Sequence, residues 1–223
     1  IYDAEHFFDG YKANPSYALE TLKAAEAGGA DHLCLCDTNG GTLPHEISEI
    51  IANIRDNIST PFGIHAHNDS GCAVANSLNA VMSCASMVQG TMNGFGERCG
   101  NANLCAIMPS LLFKTSHSFF AGKSISKLTE LSRFVFEVAN LPHDERLPYT
   151  GESAFAHKGG IHVSAVQKNS RTYEHITPES VGNRRRVLIS ELAGKSNIVY
   201  KLQELGISEK SLGDETVKQI VSH

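Results

Sequence analysis

Two periods of apolar residues alternate along roughly the first 110 residues, and this strand-then-helix rhythm predicts parallel β/α units. The chain opens on a strand that ends around Asp3 to Glu5. Asn14-Pro15 then predicts a helix start. Asn serves as N-cap, and Pro takes the first helical position, where its missing N–H costs no hydrogen bond. Leu19, Leu22 and Ala25 supply the stripe of that helix, and Gly28-Gly29 ends it. His32 to Cys36 predicts a second strand that stops at Asp37-Thr38-Asn39-Gly40. The helix after Thr42 carries Ile47, Ile50, Ile51 and Ile54 at i, i+3, i+4, i+7. Pro61 leads into a third strand, Phe62 to His67. A helix from about Cys72 to Ala85 follows, with Val74, Leu78, Val81 and Met82 on its apolar side. The fourth strand, Met87 to about Met92, ends in Asn93-Gly94-Phe95-Gly96.

Each strand is apolar along its body and polar at its C-terminal end. Those ends carry Asp3, Glu5 and His6; Asp37, Thr38 and Asn39; His65, His67, Asn68 and Asp69; and Asn93, Glu97, Arg98 and Asn101. In a β/α barrel such ends converge on the catalytic face. An open doubly wound sheet also gathers them at one edge, but neither GxGxxG nor a P-loop is present to hold a nucleotide phosphate. Four units do not close an eight-stranded barrel. The expected fold is therefore α/β: the C-terminal half of a (β/α)8 TIM barrel over residues 1–115, then a mainly helical subdomain over 116–223. In the latter, Ser126 to Asn140 predicts a helix with Leu128, Leu131, Phe134, Val135 and Val138 as its stripe. Gly151 to Val163 is rich in Gly, His and Ala, and Thr177-Pro178 marks a turn or helix start. Ile198 to Leu205 predicts a helix closed by Gly206, and another starts at Asp214.

Composition narrows the class. Apolar residues make up 41% and charged residues 19%, which is globular and not disordered. A net charge of −5 gives no support for nucleic acid or an anionic membrane as partner. No run approaches the ~18 apolar residues of a spanning helix. The opening IYDAEHFF lacks the basic and apolar regions of a signal peptide and reads as a strand under way, so the protein is expected to extend upstream. Six cysteines without a CxxC read as buried thiols of a reducing cytoplasm.

The sharpest motif is Ile64-His65-Ala66-His67-Asn68-Asp69. Side chains alternate along a strand, so His65 and His67 point to one side, ~7 Å apart. That is half of a divalent metal site awaiting oxygen ligands, or else a pair of hydrogen-bonded core histidines. Gly94 to Asn101 is a second candidate, its glycines letting backbone approach a ligand while Glu97, Arg98 and Asn101 supply polar groups. An internal Glu97–Arg98 network is the alternative there. A third is Phe155 to His162, where His162 is either catalytic or structural. Cys34 and Cys36 read as core thiols rather than metal ligands. Arg184-Arg185-Arg186 reads as a solvated or salt-bridged run rather than a phosphate site.

With HAHND, DTNGG and GFGERCGN together, the chain resembles the acetyl-CoA-dependent Claisen synthases that include 2-isopropylmalate, homocitrate and citramalate synthases. The segment AFAHKGGIHVSAVQKN and the later YEHITPESVGNRRR extend the resemblance over the whole chain. EHFFDGYKANP and LCDTNGGTLPHE look most like the citramalate branch, which condenses pyruvate with acetyl-CoA on the way to isoleucine. The resemblance implies a divalent metal (Mg, Mn or Zn) on His65 and His67, with Asn101 in or beside its coordination sphere. It places Thr38, Asn39 and Glu97 on the 2-oxo acid, Glu5 and His162 on proton transfer, and Tyr173 near them. It also implies a homodimer, in which the segment bearing His162 and Tyr173 acts on the partner's barrel. The family's first-strand motif, D-x-[TS]-x-R-D-G, is absent from the sequence, so a chain of this sequence alone is expected to be inactive. A lyase of the same superfamily and a non-catalytic ligand-sensing protein are the competing readings.

Overall fold

The computed structural model describes residues 1–188 and 195–207; the helix expected from Asp214 lies outside the described residues. The chain forms two compact units, Ile1–Ser118 and a second beginning at Phe119.

The first unit is built on four parallel strands, β1 (Tyr2–Ala4), β2 (Leu33–Asp37), β3 (Phe62–Ala66) and β4 (Met87–Gln89), which lie side by side in chain order. That order contains no reversal, so the sheet has no switch point of the doubly wound kind and follows the single winding of a barrel. Between the strands run α2 (Pro15–Ala27), α3 (Pro44–Ile54) and α4 (Ala73–Met82), and α5 (Leu104–Lys114) follows β4. Asn14 caps α2 by accepting from the Tyr17 N–H at 3.1 Å, and all four isoleucines of α3 are buried, as the spacing predicts. The periodicity missed α1 (Phe7–Ala13), only seven residues long, which starts after His6 in the left-handed region at φ 55°. Its buried Phe7 and Phe8 are adjacent in sequence and so make no i, i+3 stripe.

The helix α4 departs from expectation. Its buried face is Ala73, Asn76, Ser77, Ala80 and Val81, while Met82 is exposed. Small residues let the helix approach the sheet closely, and Asn76 donates to the Thr42 carbonyl at 2.7 Å. A buried amide, bonded through its nitrogen while its Oδ1 has no partner, thus takes the place of apolar bulk. Asp37 also departs. It is 1% exposed, and its carboxylate accepts from the Thr42 hydroxyl at 2.7 Å. Burial pushes its pKa up against that bond, and the group ties the end of β2 to the start of the helix layer.

Glu26, near the end of α2, accepts from both the backbone N–H and the hydroxyl of Ser59 and of Thr60, at 2.7–3.0 Å. These bonds, those of Ser59 first, hold its pKa at about 2 against an ordinary 4.5. A carboxylate with a lowered folded pKa contributes stability that is complete above the ordinary value and lost as pH falls through the folded one. Glu26→Gln should therefore flatten the acid limb of the unfolding profile between pH 4.5 and about 2. An unchanged limb in acid-titrated thermal melts would refute this.

In the second unit, α6 (Leu128–Val138) buries Leu128, Thr129, Ser132 and Phe136. The expected stripe is turned by about a third of the helix: Phe134 is 59% and Val138 69% exposed. Thr129 explains part of the rotation, because its hydroxyl donates to the Val181 carbonyl at 2.8 Å. A two-residue parallel pair, β5 (Ala156–His157) with β6 (Arg186–Val187), precedes and follows α7 (Gly160–Lys168), which the glycine-rich sequence concealed. The final described helix is α8 (Lys195–Glu204). No described helix is long and apolar enough to cross a membrane.

Candidate metal and substrate site

The register of the sheet sorts its side chains. Leu35 pairs with Ile64 and Ile64 with Val88, one face of the sheet; Cys36 pairs with His65 and His65 with Gln89, the other. Leu33, Leu35, Ile64 and Ala66 are wholly buried beneath the helices. The opposite face carries Asp3, Cys34, Cys36, His65 and Gln89, with polarity rising toward the C-terminal ends.

His65 and His67 share that face, their ring centroids 5.3 Å apart. His67 lies just beyond β3 and forms an antiparallel bridge with Asn101. The Asn68 N–H donates to the Gly100 carbonyl at 2.9 Å, and the Asn101 N–H donates to the Gly94 carbonyl at 3.0 Å. The glycines are required here. Gly100 has φ +92°, and a Cβ on Gly96 would stand 2.5 Å from the Asn101 amide nitrogen.

His67 Nδ1 and Asn101 Oδ1 are both buried and have no hydrogen-bond partner. Leaving such an atom unsatisfied costs ~1–3 kcal/mol. Two orphaned polar atoms on bridged residues, beside a second imidazole, form a ligand set that fits a divalent cation.

Thr38 and Glu5 also come together. The Thr38 hydroxyl donates to Glu5 Oε2 at 2.7 Å and accepts from the His6 N–H at 2.7 Å. Asn39 is used locally, its Oδ1 accepting from the Gly41 N–H at 3.0 Å, and it is exposed. The Glu97 side chain is 86% exposed and 3.8 Å from Arg98. Arg98 is committed to the fold: it donates to both Asp69 oxygens at 2.7 and 3.0 Å and to the Thr38 carbonyl at 2.7 Å. It clamps three strand-end loops together, and its guanidinium holds the Asp69 carboxyl below the usual range.

In the second unit, the rings of His162, on α7, and Tyr173 lie 4.3 Å apart, both exposed. Behind them lies a charged cluster that sequence reasoning missed. His157 Nε2 is 3.0 Å from Glu174 Oε1, and Arg185 grips the same carboxylate with two hydrogen bonds of 2.6 and 2.5 Å. Arg186 pairs with Glu152, so two members of the arginine run are in ion pairs. Gln89 was also missed. Its signal was a lone amide at the end of a three-residue strand, in register with the HxH motif.

Asp3, Cys34 and Cys36 bring one ligand atom each within 4.8 Å of one another. The hydrogen bond to Cys36, with burial, pushes the Cys34 pKa far up, and Asp3 is engaged by Gln89 at 2.8 Å. Cys34 stays a thiol. All six cysteines are thiols.

Residues 6–135 match the HMGL-like family, and residues 149–223 match the homocitrate synthase post-HMGL domain-like family. The chain is 58% identical, over 98% of its length, to (R)-citramalate synthase of Geobacter sulfurreducens, and 58% identical, over 99%, to that of Aquifex aeolicus. It is 40% identical, over 95%, to a probable 2-isopropylmalate synthase of Methanopyrus kandleri. The chain spans 41–42% of the length of these relatives. Among solved structures, Rhizobium etli pyruvate carboxylase aligns with a TM-score of 0.50 at 18% identity, over 82% of this chain and 19% of that one. That likeness is one of fold. The stretch that carries Thr38, His65, His67 and Asn101 on four singly wound strands is thus also the stretch, more than half of the chain, by which the protein belongs to the HMGL-like family.

Proposed function

We propose that this chain carries the metal-binding and oxo-acid-binding part of an acetyl-CoA-dependent synthase that condenses acetyl-CoA with pyruvate to (R)-citramalate in the cytoplasm. The observation that carries the reading is the pair of unpartnered buried atoms on His67 and Asn101 beside His65, in a chain 58% identical to two (R)-citramalate synthases. His65, His67 and Asn101 would hold a divalent cation. Once bound, it supplies Lewis acidity at a keto oxygen.

The chain's own residues do the rest. The Thr38 hydroxyl, which donates to Glu5 and accepts from the His6 N–H, would turn its proton from Glu5 to a 2-oxo acid carboxylate on binding, with Asn39 and Glu97 at the rim. His162 is the group for proton transfer at the acetyl methyl, since imidazole titrates near working pH. Tyr173 packs on its ring and restricts its orientation. Glu5 and His162 belong to different units, and this reading includes a homodimer.

The test uses the full-length protein with pyruvate, acetyl-CoA and magnesium or manganese. Release of free coenzyme A thiol coupled to (R)-citramalate is expected, with pyruvate preferred over 3-methyl-2-oxobutanoate. Preference for the branched acid would move the protein to the 2-isopropylmalate branch. Cleavage of an acyl-CoA without condensation would make it a lyase.

A further inference from the structure

The two histidines of the site are held differently. His67 Nδ1 has no partner, whereas His65 Nδ1 is 2.8 Å from Gln89 Oε1, and Gln89 Nε2 is 2.8 Å from Asp3 Oδ1. Three side chains on β3, β4 and β1 therefore form a line across the inner face of the sheet. Gln89 and His65 are paired in register, and Asp3 reaches the far end of the amide.

Proton bookkeeping gives this line a direction. An ionised carboxylate only accepts hydrogen bonds, so Asp3 takes the NH2 end of the Gln89 amide. The carbonyl end of Gln89 then faces His65, and only an N–H can meet it. The His65 proton must sit on Nδ1. A neutral imidazole protonated at Nδ1 carries its lone pair at Nε2. The charge on Asp3 thus decides, through one amide, which nitrogen of His65 is available as a ligand.

We propose that Gln89, oriented by Asp3, is a positioning residue that locks His65 in the Nδ1–H tautomer and so presents Nε2 to the divalent cation. This rests on the metal reading of His65, His67 and Asn101. Outer hydrogen bonds of this kind fix ring orientation and raise ligand basicity, and losing one typically costs 10–100-fold in metal affinity. Neither Asp3 nor Gln89 need touch the substrate for this role. Gln89 makes both bonds within the sheet, so the ligand is preorganised.

The experiment is a manganese titration of the full-length apo protein, with the nitrogen-15 spectrum of its histidine rings as the second readout. Gln89→Leu should weaken manganese binding about 10–100-fold and give His65 a mixed-tautomer spectrum, while the melting temperature of the apo protein stays within a few degrees. Gln89→Glu combined with Asp3→Asn, in which the asparagine amide donates to one carboxylate oxygen while the other accepts from Nδ1–H, should restore both. Asp3→Asn should lose the tautomer lock with the fold intact, because an asparagine amide can turn either end toward Gln89; it serves if Gln89→Leu does not fold. Wild-type manganese affinity and a pure Nδ1–H signal in Gln89→Leu or in Asp3→Asn would overturn the proposal alone. A wild-type protein that binds no manganese would remove the metal reading and this proposal with it.

Discussion

His67→Ala should abolish manganese binding by the full-length protein and lower turnover by more than the 10–100-fold expected for loss of an outer hydrogen bond. The stability of the metal-free protein should be unchanged or slightly raised. The sign of that second effect separates two readings of the same residue. A core histidine held by hydrogen bonds would leave a stranded partner when removed, at a cost of ~1–3 kcal/mol. Here Nδ1 of His67 is buried without a partner, so alanine removes an unsatisfied atom and strands nothing through it. The metal should reverse the comparison. A cation at 100 times its dissociation constant stabilises the wild type by ~2.7 kcal/mol through mass action. The wild type should therefore melt at a higher temperature with manganese than without it. The variant should show no such rise. His65→Ala should behave differently when metal-free, because it deprives Gln89 Oε1 of its donor at 2.8 Å. A metal-dependent rise in His67→Ala equal to that of the wild type would remove His67 from the ligand set.

How much of this was legible in the sequence follows from which forces each element obeys. The isoleucines of α3 and the Asn-Pro start of α2 were readable because each acts within one or two turns of its own helix. The HxH pair was readable because strand alternation fixes the side to which both rings point. The faces of α4 and α6 were not. In both, polar side chains are buried because a specific carbonyl receives them: Asn76 meets Thr42 and Thr129 meets Val181, 34 and 52 residues away. Hydrophobic period cannot anticipate such a partner. The same limit hid the rest of the site. Arg98 stood in the GERCGN motif among candidate ligand-binding groups, but its donors are taken by Asp69 and by the Thr38 carbonyl. Asp37 lies at a strand end like its neighbours, yet a one-residue step in register turns it away toward Thr42. Gln89 and Asp3 are 86 residues apart and become informative only through the register of β3 with β4.

The buried cluster of the second unit supports the other large effect. Glu174→Ala should destabilise the protein by about 3 kcal/mol, the lower end of what breaking a buried ion pair costs. The lower end applies because the partners differ in access to water. Glu174 is 2% exposed and His157 9%, but Arg185 is 28% exposed and can turn toward solvent once released. Arg185→Met should cost more, since it leaves the carboxylate buried with only His157 beside it. Replacing both, Glu174→Leu with Arg185→Met, should recover most of the loss, as apolar substitutes for a buried pair often do. Protonation gives an independent check. Burial raises the Glu174 pKa, but Arg185 and then His157 outweigh it, and the net shift is downward from 4.5. The stability it contributes is therefore complete above pH 4.5 and lost as pH falls through the lower folded value, so wild type and Glu174→Ala should converge in acid. A melting temperature of Glu174→Ala equal to that of the wild type at neutral pH would show that the cluster is not what holds this segment. The consequence should reach His162, the proposed proton-transfer residue, through Tyr173. Tyr173 precedes Glu174 in the chain, and its ring lies 6.4 Å from that of His157 and 4.3 Å from that of His162. Anchoring Glu174 beneath the surface is what leaves Tyr173 displayed above it, so the variants that unseat the carboxylate should loosen the His162 ring while leaving manganese affinity at His65 and His67 unchanged.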